Sequence, residues 1–124
     1  AGDRRRQEDA VSRSAEPQRH AFVVGVRPER REEYLELHRA VWPGVEQKLR
    51  ECHISNYSIY AFGDILFAYF EYTGDDYDAD MARADEDPVS REWLAHTDPC
   101  QVRIAPERNQ GALWQPIDEV WHLS

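Results

Sequence analysis

Tyr34, His38 and Trp42 stand four residues apart in the stretch from Glu33 to Pro43. In a helix, that spacing sets a phenol, an imidazole and an indole along one face, each near the next. Such a row can line a sugar pocket. His38 is its natural titrating member, because imidazole is the side chain whose unperturbed pKa lies nearest neutrality and can both give and take a proton. The same spacing also describes an amphipathic stripe, with Tyr34 and Trp42 in the core and His38 a half-buried spacer. Tyr57 and Trp93 add two aromatic side chains able to bond a hydroxyl or pack on the apolar face of a sugar ring. Core packing is the competing reading for each.

The other histidines carry weaker signals. His20 opens a strand, His53 ends a helix, His96 sits near a helix end and His122 lies in the last strand, all ordinary structural or exposed positions. No His-x-x-x-His or Cys-x-x-Cys pattern occurs, and His96-Thr-Asp98 is too generic to count, so no metal is expected. Asp75-Asp76 and Asp85-Glu86-Asp87 read as solvated charged turns rather than a glycosidase carboxylate pair. Dinucleotide-binding glycines, a Walker loop and the Gly-x-Ser-x-Gly elbow are all missing from the sequence. Chemistry without a cofactor is the expectation.

The elements that must position these residues follow from periodicity. Ala21-Phe-Val-Val-Gly-Val26 is a short β-branched run ended by Arg27-Pro28, as in a first strand. Pro28 suits the first turn of a helix whose start is acidic at Glu29, Glu32 and Glu33 and which runs through Tyr34, Leu37, His38 and Val41. Pro43-Gly44 interrupts the pattern before Val45, Leu49 and Cys52 resume it, giving one kinked helix or two consecutive ones. Ile54 to Phe62 and Ile65 to Tyr72 form a hairpin through Gly63-Asp64. Asp75 to Arg83 and Pro88 to His96 form a broken second helix, with Asp87 as a cap before Pro88. A loop from Pro99 to Pro116 leads to a final strand over Ile117 to Leu123.

The order βαββαβ predicts an α+β, ferredoxin-like fold: one antiparallel sheet with both helices on one face. The aromatic-rich opposite face would then be an unusual exposed apolar patch, and a second copy is its simplest lid. A homodimer through the sheet face is expected.

Composition limits the partners. The chain has 124 residues and a formal charge of -9, and it is 41% hydrophobic and 31% charged. That suits one soluble domain, residues 20–124, behind a flexible N-terminal tail, residues 1–19, that lacks an apolar period. The acidic balance opposes nucleic acid and anionic lipid, because Arg4-Arg5-Arg6 in the tail is the only arginine-dense run. No apolar run is long enough for a membrane span, no signal peptide is visible, and two isolated cysteines, Cys52 and Cys100, fit reduced thiols. A cytoplasmic protein acting on a neutral or cationic small molecule is the expectation.

The segment His20-Ala-Phe-Val-Val, then Glu33-Tyr-Leu-Glu-Leu-His38, then Val41-Trp-Pro43, resembles the L-rhamnose mutarotase family. The resemblance continues through Asn56-Tyr57-Ser-Ile-Tyr60, Leu66-Phe67 with Glu71, Trp93 with Thr97-Asp98, and Glu119-Val120. It covers nearly everything after the tail. It implies a dimeric α/β barrel in which the histidine matching His38 is the proton donor. The tyrosine matching Tyr34 contacts the sugar, and Tyr57 and Trp93 match two further substrate-contacting positions. The chain departs from the family just before Trp93, where Glu92-Trp93 replaces a pair of tryptophans. Glu92 either accepts hydroxyl hydrogen bonds from a different sugar or points to solvent.

The expected activity is interconversion of the α and β anomers of L-rhamnose or a related 6-deoxysugar by acid/base ring opening. A proton reaches the ring oxygen while one leaves the anomeric hydroxyl, with His38 handling the ring-oxygen proton. Tyr34 or Tyr57 orients hydroxyls or relays the second proton through water, a phenol of pKa about 10 being a poor base unaided; that partner stays open. Two alternatives remain on the same fold. One is a dimeric α/β-barrel cyclase or cofactor-independent monooxygenase on an aromatic polyketide. The other is a non-catalytic sugar-binding module.

Overall fold

In the computed structural model, which describes residues 16–107 and 112–124, Phe22, Val24 and Val26 alternate on one face of the strand β1 (Gln18–Val26). The hairpin forms as expected: β2 (Ile54–Phe62) and β3 (Ile65–Tyr72) turn through Gly63-Asp64, and Gly63 takes a φ of 58° that a side chain would strain. Register places Val24 opposite Leu66 and Phe22 opposite Ala68, so the apolar residues of β1 and β3 share a face. Two short strands, β4 (Gln101–Val102) and β5 (Gln115–Ile117), both pair with β1. The order is β2-β3-β1-β4, with every pair antiparallel. That is the split βαβ order that the sequence predicts.

Helices cover the apolar face. A 3-10 turn at Pro28–Arg30 leads into α1 (Arg31–His38), and Pro43 restarts the chain as α2 (Pro43–Glu51), so the long first helix is two consecutive ones. The second pair is α3 (Tyr77–Glu86) and α4 (Pro88–Thr97). Asp87 caps α4, its carboxylate accepting the Ser90 N–H at 2.9 Å ahead of Pro88 at the first turn. Asp76 caps α3 through the Ala79 N–H at 3.1 Å, which is why that helix starts beyond Asp75. Tyr34 of α1 packs with Val24, Val26, Leu66 and Cys100. Leu49, Tyr77 and Met81 of α2 and α3 close over Ile54, Phe70 and Tyr72. Both cysteines are free and buried.

Three boundaries of the sheet differ from the sequence reading. Strand β1 starts at Gln18, so Gln18 and Arg19 belong to the sheet and not to a tail, while residues 1–15 of that expected tail lie outside the described residues. The expected loop from Pro99 contains β4, a two-residue strand too short to show periodicity. Its close approach to β1 depends on Gly25, where a Cβ would meet Val102 Cγ1 at 2.9 Å. The last strand is Gln115–Ile117 and not Ile117–Leu123. Beyond it there is no further strand pairing, although Glu119 still accepts from Arg19 of β1 at 2.6 Å, and Val120 is 97%, Trp121 76% and Leu123 75% exposed. The apolar content that predicted a strand there is thus not buried within one chain.

Candidate active site

His38 ends α1, one turn after Tyr34, and its ring stacks on the Tyr34 ring with centroids 4.3 Å apart. The sequence spacing is met here, as i,i+4 neighbours on one helical face. His38 Nδ1 lies 2.9 Å from the Tyr34 carbonyl. A carbonyl only accepts, so Nδ1 carries the proton and neutral His38 keeps its free lone pair on Nε2. Burial pushes the His38 pKa below the usual histidine value, and the carbonyl bond opposes that shift in part. At neutral pH the ring is therefore an uncharged imidazole with Nε2 as its exchangeable position.

Trp93 reaches the same place from α4. It is 7% exposed and meets His38 edge-on at 5.2 Å. Trp42 does not share the helical face of Tyr34 and His38, which corrects the row expected from spacing: α1 stops at His38, and Trp42 is the residue before α2. It joins the cluster through Trp93, at 5.3 Å, and through His96, at 5.6 Å. Trp42 also lines an open depression of about 300 Å³ with Glu33, Glu36, Leu37 and Ala40.

Tyr57 enters from the sheet because of a bulge. Between Ser55 and Ser58 the register of β2 against β3 slips, and Asn56 takes a φ of 48°. Asn56 turns to the outer face, where it donates to Glu71 at 2.7 Å, and Tyr57 turns to the helix-covered face against Phe70 at 5.3 Å. Without the extra residue Tyr57 and Ile59 would not both face inward with Ile54. Tyr57 keeps 42% exposure, yet burial is the main cause raising its phenol pKa, followed by Tyr77. Burial also raises the pKa of Tyr34 far above the ordinary phenol value, with a smaller contribution from Tyr57. Both phenols therefore stay neutral and act as hydrogen-bonding groups, not as bases.

The structure brings Tyr34, His38, Trp93 and Trp42 into one aromatic cluster and sets Tyr57 on the sheet face that the helices cover. Glu92 is exposed on α4 and has no part in the ring contacts of this cluster. Two features escaped the sequence reading. His20 lies on the helix-covered face of β1, stacked on Tyr77 at 4.2 Å and on Phe70 at 5.3 Å, where the sequence offered only a strand start. Gln101, on β4, is 5% exposed, and its side-chain oxygen is buried without a hydrogen-bond partner. No periodicity could have placed it there. Among the described residues no group of three His, Cys, Asp or Glu could hold a metal ion, and no helix is long and apolar enough to cross a membrane.

Comparison with known proteins agrees with this geometry. The L-rhamnose mutarotase family profile matches residues 19–123. An L-rhamnose mutarotase of Escherichia fergusonii is 35% identical over 108 residues, covering 85% of this chain and 97% of its own. One of Phocaeicola vulgatus is 28% identical over 107 residues, with the same two coverages, 85% and 97%. The crystal structure of an L-rhamnose mutarotase from Formosa agariphila superposes with a TM-score of 0.66 at 23% identity, covering 86% of this chain and 99% of that one. Tetracenomycin F2 cyclase from Streptomyces glaucescens superposes with a TM-score of 0.57 at 16% identity, again covering 86% and 99%. These two likenesses establish a shared fold, one that mutarotase and cyclase have in common. The profile match over most of the chain settles between them: the chain belongs to the L-rhamnose mutarotase family, a family of isomerases.

Proposed function

We propose that this protein interconverts the α and β anomers of L-rhamnose or a related 6-deoxysugar, with His38 as the acid/base group, and that it works as a homodimer. The observation that carries the reading is the tie between His38 Nδ1 and the Tyr34 carbonyl, which leaves Nε2 to face a ligand among aromatic side chains. The neutral Nε2 takes the proton of the anomeric hydroxyl. The imidazolium so formed gives it to the ring oxygen as the bond from that oxygen to the anomeric carbon breaks. Both oxygens sit on the anomeric carbon, so one nitrogen reaches each in turn. The open-chain aldehyde rotates about the bond beside its carbonyl, and the same transfer in reverse closes the ring on the other face. No proton is gained or lost overall. Tyr34 and Tyr57 orient hydroxyls, and Trp93 offers an aromatic wall.

The pH dependence follows with a definite sign. A histidine whose pKa lies below the usual 6.5 stays neutral across neutral pH, and the neutral form starts the cycle. The rate of anomer exchange in L-rhamnose should be level from pH 8 down to about pH 6.5 and fall below it as His38 takes a proton. A rate that climbs as pH drops through the same range would contradict this order of transfers.

The dimer reading rests on the outer sheet face. Tyr60, Phe67 and Val23 lie in register there beside Phe62 and Ile65, and Tyr60 is 64% and Phe62 76% exposed. A second copy covers such a patch in the manner of a barrel closed by two sheets. Placing a charge at its centre, Phe67→Glu, should shift the light-scattering mass from dimer to monomer. A dimer of unchanged mass and concentration dependence would remove this face as the interface.

A further inference from the structure

The bulge that turns Tyr57 inward is built on Asn56, the extra residue of β2. Its φ of 48° lies in the left-handed region, which strains every residue but glycine and which asparagine and aspartate tolerate best. Such a conformation persists where the surroundings hold it. Here Asn56 Nδ2 donates to Glu71 Oε1 at 2.7 Å, and the Tyr69 phenol donates to Glu71 Oε2 at 2.8 Å. A carboxylate only accepts, so the Asn56 amide must point its nitrogen at Glu71. These two bonds, that of Asn56 first, hold the Glu71 carboxyl below the usual carboxylate range, and an ionised acceptor strengthens both. Arg19 stands opposite Glu71 across the β1–β3 ladder, but Glu119 takes its guanidinium through bonds of 2.6 and 3.1 Å.

We propose that Glu71 is a positioning residue for Tyr57: its carboxylate holds Asn56 in the left-handed conformation of the bulge, and the bulge sets Tyr57 on the helix-covered face. The inference deepens the reading of the site given above and rests on it for the contact between Tyr57 and the sugar. Side chains alternate along a strand, so a β2 that pairs without the bulge carries Tyr57 to the outer face. On the inner face Tyr57 packs on Phe70, two residues before Ile59, which packs against the cluster that holds Tyr34. Glu71 lies between the inward Phe70 and Tyr72, and so points to the opposite face of the sheet. It never touches the ligand and acts on it through the backbone of β2.

A swap of the two partners tests it. Asn56→Asp keeps the backbone preference but sets one carboxylate against another, which breaks the bond. Adding Glu71→Gln restores it with the polarity reversed: the glutamine nitrogen donates to the new carboxylate, and its oxygen still accepts from Tyr69. Two readouts are taken on wild type, Asn56→Asp and the double variant. The first is the set of NOEs between the Tyr57 and Phe70 rings, which Asn56→Asp should abolish and the double variant should recover. The second is KM and kcat for L-rhamnose anomer exchange. Asn56→Asp should raise KM about tenfold, the worth of one hydrogen bond to the ligand, with kcat within about twofold, and the double variant should return KM to within about twofold of wild type. Glu71→Leu removes the acceptor without adding a charge and replaces Asn56→Asp where that variant does not fold; it should lose the NOEs and raise KM in the same way. Ring NOEs that survive in Asn56→Asp, or a double variant no better than the single one, would overturn the proposal. So would a raised KM that comes with a light-scattering mass fallen to monomer and the NOEs intact, since the effect would then belong to the outer face as an interface. A wild type without anomer exchange would remove the sugar reading instead, and the NOEs would still decide whether Glu71 places Tyr57.

Discussion

His38→Ala is expected to lose about 10²- to 10⁴-fold of the catalysed rate of anomer exchange, the range that a positioned acid or base typically supplies. The fold should survive. His38 is only half-buried at the last turn of α1, where alanine is a good helix former and the backbone bonds of the turn are unaffected. The loss therefore belongs to chemistry and not to unfolding, which a circular-dichroism melt beside the rate measurement separates. A folded variant that keeps near-normal exchange would show that Nε2 of His38 does not carry the proton.

Trp93→Ala is the second large effect, and it acts on stability first. Trp93 is 7% exposed and contacts both His38 and Trp42, so its loss empties the junction between α1, α4 and the start of α2. Truncating a buried tryptophan costs about 3–5 kcal/mol through lost burial and the cavity left behind. Domains of this size hold only about 5–15 kcal/mol in total, so urea unfolding of the variant should move to much lower denaturant. His38 would also lose the indole edge that limits its orientation, and the rate should fall in whatever fraction stays folded. A change below about 1 kcal/mol would mean that Trp93 is a peripheral wall rather than a support for the catalytic imidazole.

The parts of this arrangement legible in the sequence are those fixed by local pattern. The β-branched run from Ala21 to Val26, the Gly63-Asp64 turn and the Asp87-Pro88 cap each act over a few residues, and each appears where the sequence places it. The Tyr34–His38 pair was legible for the same reason, since helical spacing alone makes it. Trp42 continued that spacing, but the stop after His38 and the restart at Pro43 turned it to another direction. What depends on partners distant in sequence was hidden. The bulge at Asn56 that aims Tyr57 inward is a register effect between two strands. Buried Asp80, which accepts from Tyr72 at 2.5 Å and lies 3.1 Å from His53 Nδ1, looks in the sequence like one more acidic residue of a solvated helix. Gln101 owes its buried place to a strand of two residues. Glu92 is exposed on α4, an orientation open to solvent and to a ligand alike.

The central claim is that this chain accelerates anomer exchange, and saturation-transfer NMR on L-rhamnose with the wild-type protein tests it most directly, with L-fucose for comparison. The account predicts magnetisation passing between the α and β anomeric signals of L-rhamnose much faster with protein than without. Exchange at the spontaneous rate for both sugars would contradict it and favour the cyclase or binding-module alternatives that the sequence leaves on the same fold.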